Sequence, residues 1–211
     1  KNDPSSAGRQ MPMHYGHSEL NIVSQSSPTG TQYLQAVGTA FAMQRYQNGN
    51  VVYVSSGDGT TSQGDFHEAL NWASREKAPV IFHIENNHYA ISVPLHEQVA
   101  NGQLYDITSG YDNLGRYNIN GTDFFESHLA FKKAVDRARR GKGPSVIVSD
   151  VVRLLPHSSS DDHRKYRNDK DLNNDKNKDP ISIFEKICID NNFFTKKDIN
   201  NIQNKIKSEI D

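Results

Sequence analysis

The stretch at residues 55–73, SSGDGTTSQGDFHEALNWA, decides the fold of this chain. Gly57, Asp58 and Gly59 follow the apolar run at 51–55 after one serine, and a helical pattern begins at Gly64. Glycines alone can make a turn, so the aspartate between them needs a second reason. A buried strand that ends in a polar turn and leads into a helix is typical of α/β proteins, in which ligands bind at the carboxyl ends of parallel strands.

The sequence on either side of this stretch predicts further strands and helices in alternation. Apolar, β-branched runs at 80–84 and 145–152 predict two more buried strands. Three windows have helical spacing, namely 33–47, 64–76 with Trp72 on its buried side, and the segment after Asp123, which has Glu126 three residues on. This alternation favours right-handed crossovers, so we expect an α/β fold with a parallel sheet flanked by helices.

Composition limits the possible functions. The 211 residues carry a formal net charge of −1, which implies no general attraction to nucleic acid. No apolar run approaches the roughly 20 residues of a membrane span. The one cysteine, Cys188, rules out an internal disulfide and fits a reducing compartment. Hydrophobic residues make up 35%, which is low for a self-contained globule and favours either polar loops or a subunit that completes its burial with a partner.

The organisation along the chain suggests three parts. The sequence opens at Lys1 rather than at a methionine, so we expect a fragment of a longer protein. Residues 1–165 are expected to form an α/β domain truncated at its amino end. The polar stretch at 166–179, YRNDKDLNNDKNKD, predicts a mobile loop. Amphipathic helices are expected at 180–211, from which the chain could lead into a further region.

Polar residues follow two of the predicted strands at the point where each strand ends. Asp58 follows the strand at 51–55, and Asn86 and Asn87 follow the strand at 80–84. Asp58 and Asn87 are 29 positions apart, about one strand–helix–strand unit, so the crossover brings a carboxylate and an amide oxygen together. Two such oxygens suit a magnesium ion whose other ligands are phosphate and water, and a helix amino end favours the same anion.

A plainer alternative stays open for these residues. Gly-Asp-Gly and Asn-Asn are both common in ordinary turns, and each could be there for the backbone alone. The pattern is not the dinucleotide fingerprint, because no G-x-G-x-x-G follows the strand. The position of both motifs at strand ends, one crossover apart, favours a magnesium-bridged diphosphate.

Four motifs in order make the pattern more specific. GDG and ENNHYAIS look like a thiamin diphosphate motif, and three further segments are AGRQMPMHYG (7–16), SSPTGTQYLQAVGTAFA (26–42) and HSSSDDHRKYR (157–167). Together they resemble the alpha subunit of the branched-chain 2-oxoacid dehydrogenase decarboxylating component, over roughly residues 7–167. The resemblance implies a thiamin diphosphate-binding fold.

The resemblance also assigns cofactor residues around the glycine–aspartate turn. It implies that magnesium is bound by the side chains of Asp58 and Asn87 and by the backbone carbonyl of Tyr89. The family often has glutamate where this chain has Asp58, and either residue supplies carboxylate oxygen. Gly59 and Thr60 would lie against the diphosphate, where a missing or small side chain permits close approach.

The serine–proline segment has a second set of implied roles. Ser27 and Thr29 would face the aminopyrimidine end of the cofactor. The resemblance further implies a potassium ion among the oxygens of Ser26, Pro28, Thr31 and Gln32. Taken from the residues alone, the same segment is an ordinary helix entry in which serine and threonine act as caps.

The last motif carries the implied catalytic histidine. His157 matches the family's histidine near the thiazolium ring, where an imidazole can donate to an oxyanion or assist proton transfer. Arg153, four residues earlier, matches an arginine of the same loop, which would orient His157 and contact the cofactor. Ser158 falls where mammalian members are phosphorylated, a change that would add charge beside the active-site mouth.

The chain departs from the family pattern in three places. Glu85 stands where an arginine commonly serves the diphosphate, and a carboxylate cannot pair with phosphate. His88 stands where glycine is usual. The family's other diphosphate anchor, a Tyr-Arg pair, lies upstream of the motifs present here.

The resemblance implies an activity and its partners. These are oxidative decarboxylation of a branched-chain 2-oxoacid of the 2-oxoisovalerate type and transfer of the acyl group to a lipoyl arm of an acyltransferase. A glutamate needed by the cofactor belongs to a beta subunit or fused beta region, so this chain is not expected to act alone. The expected compartment is the bacterial cytoplasm or the mitochondrial matrix.

Two other functions stay open at this point. A sister enzyme could act on pyruvate or another 2-oxoacid, since the acyl pocket alone separates the substrates. A nucleotide-binding or regulatory α/β module could keep the fold without decarboxylation, and Glu85 is the feature that favours it.

Overall fold

A computed structural model describes residues 7–11, 13–46 and 49–210. The strands are β1 (Val52–Gly57), β2 (Val80–Asn86), β3 (Tyr89–Ala90), β4 (Val93–Pro94), β5 (Gly115–Asn120) and β6 (Ser145–Asp150). The helices are α1 (Gln32–Tyr46), α2 (Gly64–Glu76), α3 (Leu95–Gln98), α4 (Leu104–Ile107), α5 (Phe124–Arg139), α6 (Asp169–Asn177), α7 (Pro180–Asp190) and α8 (Lys196–Ile210). Two 3₁₀ turns, Asp58–Ser62 and His163–Lys165, complete these elements.

The main sheet has four strands in the order β1-β2-β6-β5, and every neighbouring pair is parallel. Side chains alternate between its faces, so Val80, Phe82 and Ile84 meet α1 and α2 while Ile81 meets α5. The larger core lies on the α1–α2 face and the smaller one under α5. The expected α/β class with a parallel, helix-flanked sheet is therefore confirmed.

Most of the predicted elements are present with small changes at their ends. β1 continues to Gly57 and β2 to Asn86, each two residues beyond the predicted apolar run. The last residues of both strands are therefore polar or glycine. Asp123 caps α5, and its carboxylate accepts from the backbone N–H groups of Phe125 and Glu126 at 2.8 and 3.0 Å. Both helices expected near the carboxyl end are confirmed as α7 and α8. The predicted end of the first helix, at Gln47, lies outside the described residues.

Two predictions about local structure are wrong. The stretch expected to be a loop at 166–179 is helical over Asp169–Asn177, because Asn168 caps the helix by accepting from the Asp171 N–H at 2.9 Å. An ion pair of Asp175 with the buried Arg167 ties this helix to the segment before it. Trp72 is 41% exposed rather than buried, because α2 turns Phe66 and Leu70 to the core instead. The division into parts at 165 and 179 stays a prediction.

β5 and the β3–β4 hairpin were not predicted. β5 reads GRYNIN and has Ile119 as its one buried apolar side chain, so it lacks the apolar run of the other strands. The hairpin has two residues in each strand and directly follows β2. In the part of the chain that the structure describes, no helix has both the length and the apolar character needed to span a bilayer.

Candidate functional site

The candidate site begins where β1 and β2 end side by side; we call residues 57–60 and 86–90 the strand-end corner. Gly57 is in register with Glu85, so the turn at Asp58 and the turn at Asn87 leave the same edge of the sheet. A β-carbon built on Gly59 would lie 2.5 Å from the β-carbon of Ala90, which shows how closely the two turns pack. The structure therefore places the Asp58 and Asn87 segments together.

The carboxylate of Asp58 is the unusual group in this corner. Asp58 has no exposed surface. Its Oδ2 accepts a hydrogen bond from Gln98 Nε2 at 3.1 Å, whereas Oδ1 is buried and has no hydrogen-bond partner among the described residues. A buried carboxylate oxygen without a partner is costly, and a cation would satisfy it. This donor set fits a divalent metal ion.

The expected metal site is mixed in composition. Among the described residues, no three His, Cys, Asp or Glu side chains cluster in a way that could hold a metal. The set implied here has one carboxylate, one amide oxygen and one backbone carbonyl, which leaves room for phosphate and water in an octahedral magnesium shell. Such a site needs only one acidic residue from the protein.

The turn after β2 is held by its own side chains. Asn86 Oδ1 accepts from the His88 N–H at 3.3 Å, and Asn87 Oδ1 accepts from the Tyr89 N–H at 3.1 Å. His88 has a φ of 67°, in the left-handed region where glycine is favoured. Its Nε2 lies 2.5 Å from Asp150 Oδ1 at the end of β6, a contact that ties this turn to the neighbouring strand.

The side chain of Glu85 lies near that of His83, on the same strand. It is half-exposed, and its Oε1 lies 3.9 Å from His83 Nδ1 two residues earlier. Residues 83 and 85 share a face of β2 because side chains alternate along a strand. The structure thus gives Glu85 a neighbour other than the turn at Asn87.

The serine–proline segment forms a compact turn beside the corner. Ser26 and Thr31 are joined through their hydroxyls, and Thr31 Oγ1 also donates to the Pro28 carbonyl at 3.0 Å. Gln32 Oε1 accepts from the Gly30 N–H at 2.8 Å. The four residues expected to surround potassium therefore lie in one turn, Ser26, Pro28, Thr31 and Gln32.

Gly30 places that turn against the strand-end corner. It has a φ of +102°, and a β-carbon there would lie 2.9 Å from Gln63 and 3.7 Å from Thr60. Ser27 and Thr29 are exposed at the surface of the same turn, while Thr60 is buried. The segments expected to bind the two ends of the cofactor are thus adjacent.

His157 lies on an exposed loop that is connected to the corner indirectly. Its backbone N–H donates to Asp161 Oδ2 at 2.9 Å. Arg153 Nη1 donates to the Ile91 carbonyl at 2.8 Å, and its Nη2 bonds to the Tyr166 hydroxyl at 2.6 Å. None of the described hydrogen bonds joins His157 to Asp58 or Asn87. The loop is connected to the β3–β4 hairpin through other residues, among them Arg153.

Hydrogen bonds favour the charged form of the loop carboxylate Asp161. The Tyr166 hydroxyl donates to Asp161 Oδ2 at 2.6 Å. This bond, together with that from the His157 N–H, lowers the pKa of Asp161 below its usual value. Burial and the same bond raise the pKa of Tyr166. Ser158 is exposed, with its Oγ 3.2 Å from that of Ser160.

Sequence patterns did not indicate two residues that hold the site together. Gln98 bonds to Asp58, but a lone glutamine in a short helix gives no signal in the sequence. Arg167 is 6% exposed, donates to the Arg153 carbonyl at 3.0 Å and lies 5.2 Å from the Tyr89 ring centroid. Arg167 belongs to the HSSSDDHRKYR motif, which marks the segment without giving its role.

Comparison with known proteins adds a family match. The family described as "Dehydrogenase E1 component" matches residues 1–211. The 2-oxoisovalerate dehydrogenase subunit alpha of Bacillus subtilis (strain 168) is 45% identical over 183 residues, covering 87% of this chain and 55% of that protein. The mitochondrial 2-oxoisovalerate dehydrogenase subunit alpha of Caenorhabditis elegans is 36% identical over 210 residues, covering 99% of this chain and 48% of that protein.

The chain spans about half the length of the curated relatives it matches. The mitochondrial protein of the same name from Mus musculus is 40% identical over 182 residues, covering 86% of this chain and 41% of that protein. Among solved structures, transketolase from Campylobacter jejuni matches with a TM-score of 0.53 and 22% identity, over 63% of this chain and 21% of that one. The last likeness concerns the fold alone.

Proposed function

Since this chain belongs to the dehydrogenase E1 component family, we propose that it is the alpha part of a branched-chain 2-oxoacid dehydrogenase that acts on acids of the 2-oxoisovalerate type. Membership of this family implies thiamin diphosphate as the cofactor. The observation that carries the proposal is the buried Asp58 carboxylate at the strand ends, with one oxygen left without a partner. The names of the relatives favour 2-oxoisovalerate over pyruvate.

Asp58, Asn87 and the Tyr89 carbonyl would hold magnesium. Both side chains lie on turns fixed by backbone register and by local hydrogen bonds, so they need little rearrangement to bind the ion. Gly59 and Thr60 would lie against the diphosphate, and Ser27 and Thr29 against the other end of the cofactor. Bound thiamin diphosphate supplies the electron sink for loss of carbon dioxide from the 2-oxoacid.

A potassium ion would be held within the serine–proline turn. Thr31 Oγ1 lies within hydrogen-bond distance of the Ser26 hydroxyl and the Pro28 carbonyl, and Gln32 Oε1 accepts from the Gly30 N–H of the same turn. Such oxygens suit a hard monovalent cation. We propose that this ion fixes the turn which carries Ser27 and Thr29.

His157 would act on the substrate side of the cofactor. Its exposed side chain is free to approach a bound 2-oxoacid, while the loop is anchored through Asp161 and Arg153. An imidazole can donate a hydrogen bond to the carbonyl oxygen as charge develops there, or move a proton. Arg153 would orient the loop and Ser158 is a candidate phosphorylation site, where added charge would disturb the loop.

The chain is proposed to work in an assembly. Its relatives are named as alpha subunits, which implies a complex with a beta subunit. A beta subunit or fused beta region would supply the glutamate for the aminopyrimidine, and a lipoyl acyltransferase would accept the acyl group. The relatives include bacterial and mitochondrial proteins, so the compartment would be the cytoplasm or the mitochondrial matrix according to the source.

Calorimetric titration with thiamin diphosphate, with and without magnesium and with the beta partner present, tests the proposal. We expect magnesium-dependent binding that Asp58→Ala abolishes, because this change removes the one acidic ligand. Asp112→Ala, at an exposed aspartate, should bind like the wild type. Faster turnover of 2-oxoisovalerate than of pyruvate would establish the substrate class.

One observation favours a second candidate function. Glu85 occupies the place of a diphosphate-binding arginine and lies near His83 instead of supplying positive charge. A non-catalytic nucleotide-binding α/β module would tolerate this change. Absence of thiamin diphosphate binding at millimolar concentration in the assembled protein would favour the module and contradict the enzyme.

A further inference from the structure

Gln98 joins the two segments that carry the proposed magnesium ligands. Its Nε2 donates to Asp58 Oδ2 at 3.1 Å and to the Val93 carbonyl at 2.8 Å. Asp58 follows β1, and Val93 belongs to the hairpin that begins at Tyr89. One amide group therefore connects the carboxylate to the hairpin.

The hydrogen-bond partners determine which way the Gln98 amide points. The carboxylate oxygen and the backbone carbonyl can only accept, so the nitrogen of the amide must face both. The reverse orientation would set oxygen against two acceptors. The amide uses its two N–H groups for these two bonds. Since Gln98 holds Oδ2 of Asp58, Oδ1 is the carboxylate oxygen left for a ligand.

The helix α3 holds Gln98 in place although it has only four residues. Leu95 and Val99 on either side of Gln98 are 7% and 6% exposed and pack in the larger core. The Leu95 N–H donates to the His88 carbonyl at 2.9 Å, which ties α3 to the turn after β2. Gln98 also lies against Gly59, since a β-carbon there would be 3.7 Å from Gln98 Oε1. The helix that carries Gln98 is thus held by the core and by the turn after β2, and the half-buried side chain lies beside Gly59.

We propose that Gln98 is a positioning residue for the metal, which orients the Asp58 carboxylate and couples it to the β3–β4 hairpin. This inference rests on the proposed function. Outer hydrogen bonds to metal ligands commonly set both the geometry and the strength of metal binding. A glutamate or an apolar residue of the same length has no N–H group for either bond, so glutamine is the residue type that this place requires.

The test uses the complete protein assembled with its beta partner. Thiamin diphosphate binding is followed by calorimetry as magnesium is varied in the wild type, Gln98→Met, Asp58→Ala and Gln103→Met. Methionine keeps the length and loses both donors, and Gln103 is an exposed glutamine five positions on that serves as the matched control. We expect Gln98→Met to weaken magnesium affinity by roughly 10- to 100-fold, while Gln103→Met leaves it unchanged.

Two further readouts separate positioning from simple loss of structure. In Gln98→Met the apparent KM for thiamin diphosphate should rise, and kcat should largely recover at saturating magnesium. Its melting temperature without cofactor should stay close to that of the wild type. If Gln98→Met does not fold, Gln98→Asn keeps an amide that is one methylene too short to reach both acceptors, and it should show a partial loss of magnesium affinity.

The outcomes distinguish failure of this inference from failure of the proposed function. Wild-type magnesium affinity in a folded Gln98→Met, or in Gln98→Asn where methionine is not tolerated, overturns the role of Gln98 alone. If the wild type itself binds no thiamin diphosphate and Asp58→Ala changes nothing, the proposed function fails and this role fails with it.

Discussion

The strand-end corner and the His157 loop are held in place by different means. In the corner, Asp58 is fully buried, Gly59 packs on Ala90, and strand register sets which residues are neighbours. In the loop, His157 is exposed and side-chain hydrogen bonds around Asp161 keep the backbone in place. Backbone topology therefore positions the proposed metal ligands, whereas polar side chains position the proposed catalytic histidine.

Because the corner is closely packed, we expect the largest effect from a single methyl group added there. In Gly59→Ala the new β-carbon would be 2.5 Å from the Ala90 β-carbon and 3.1 Å from its α-carbon, so the hairpin must move. We expect a loss of about 3 kcal/mol in the free energy of unfolding, measured by urea titration, and loss of magnesium-dependent cofactor binding.

Two further variants make that result specific. Gly59→Ala combined with Ala90→Gly removes the closest contact and should recover part of the stability. Gly110→Ala, where a β-carbon meets nothing within 4 Å, should change little. Wild-type stability in Gly59→Ala would show that the corner is looser than its packing indicates.

The folding stability of the sheet beneath the corner should decrease at acidic pH because of His83. Its ring lies between the Tyr53 hydroxyl and the Ser149 hydroxyl, each at 2.8 Å, and its side chain is 13% exposed. Burial lowers the pKa of His83 from 6.5 to about 4. Between these values the unfolded chain binds the proton and the folded chain does not, so stability is lost as pH falls from 6.5 to 4.

We expect this histidine to account for about 2 kcal/mol of lost stability between pH 7 and pH 4.5. The measurement is the free energy of unfolding against pH for the wild type and for His83→Gln, which lacks the ionisable ring. Other groups titrate in both proteins, so the difference between the two curves isolates His83. Parallel curves would contradict the assigned pKa.

The smallest effect is expected in the loop. Tyr166→Phe removes the hydroxyl that bonds to Asp161 and Arg153. Loss of these two hydrogen bonds should speed amide hydrogen exchange at 154–162 roughly fivefold, with almost no change in melting temperature. Tyr46→Phe, at a tyrosine that is 76% exposed, is the matched control. A large fall in melting temperature would mean that the loop supports the fold, which would break the contrast with the corner.

Sequence patterns predicted the parts of the fold that depend on local periodicity. Three of the four strands of the sheet were recognised because they have apolar runs, and Asp123 marked the start of α5. β5 was missed because its neighbour β6, rather than its own composition, makes it a strand. Trp72 was placed wrongly because helical spacing does not say how far the core extends around a helix.

The same difference applies to the candidate site. Asp58 and Asn87 could be selected from the sequence because both follow strands, and parallel strands end at one edge. Gln98 could not be selected, because its bonds to Asp58 and Val93 depend on a hairpin that no local pattern predicted. The indirect connection from His157 through Arg153 to Ile91 likewise joins residues far apart in the chain.

The sequence by itself determined the alternation of strands and helices, the polar turns at the strand ends and the family to which the motifs belong. Those features are local, since each depends on residue types within a few positions. The tertiary structure decided that one oxygen of Asp58 is buried without a partner, that Gln98 holds the other, and that the His157 loop is tied to the hairpin. Burial and hydrogen-bond partners depend on where distant segments pack, so only the folded chain fixes them.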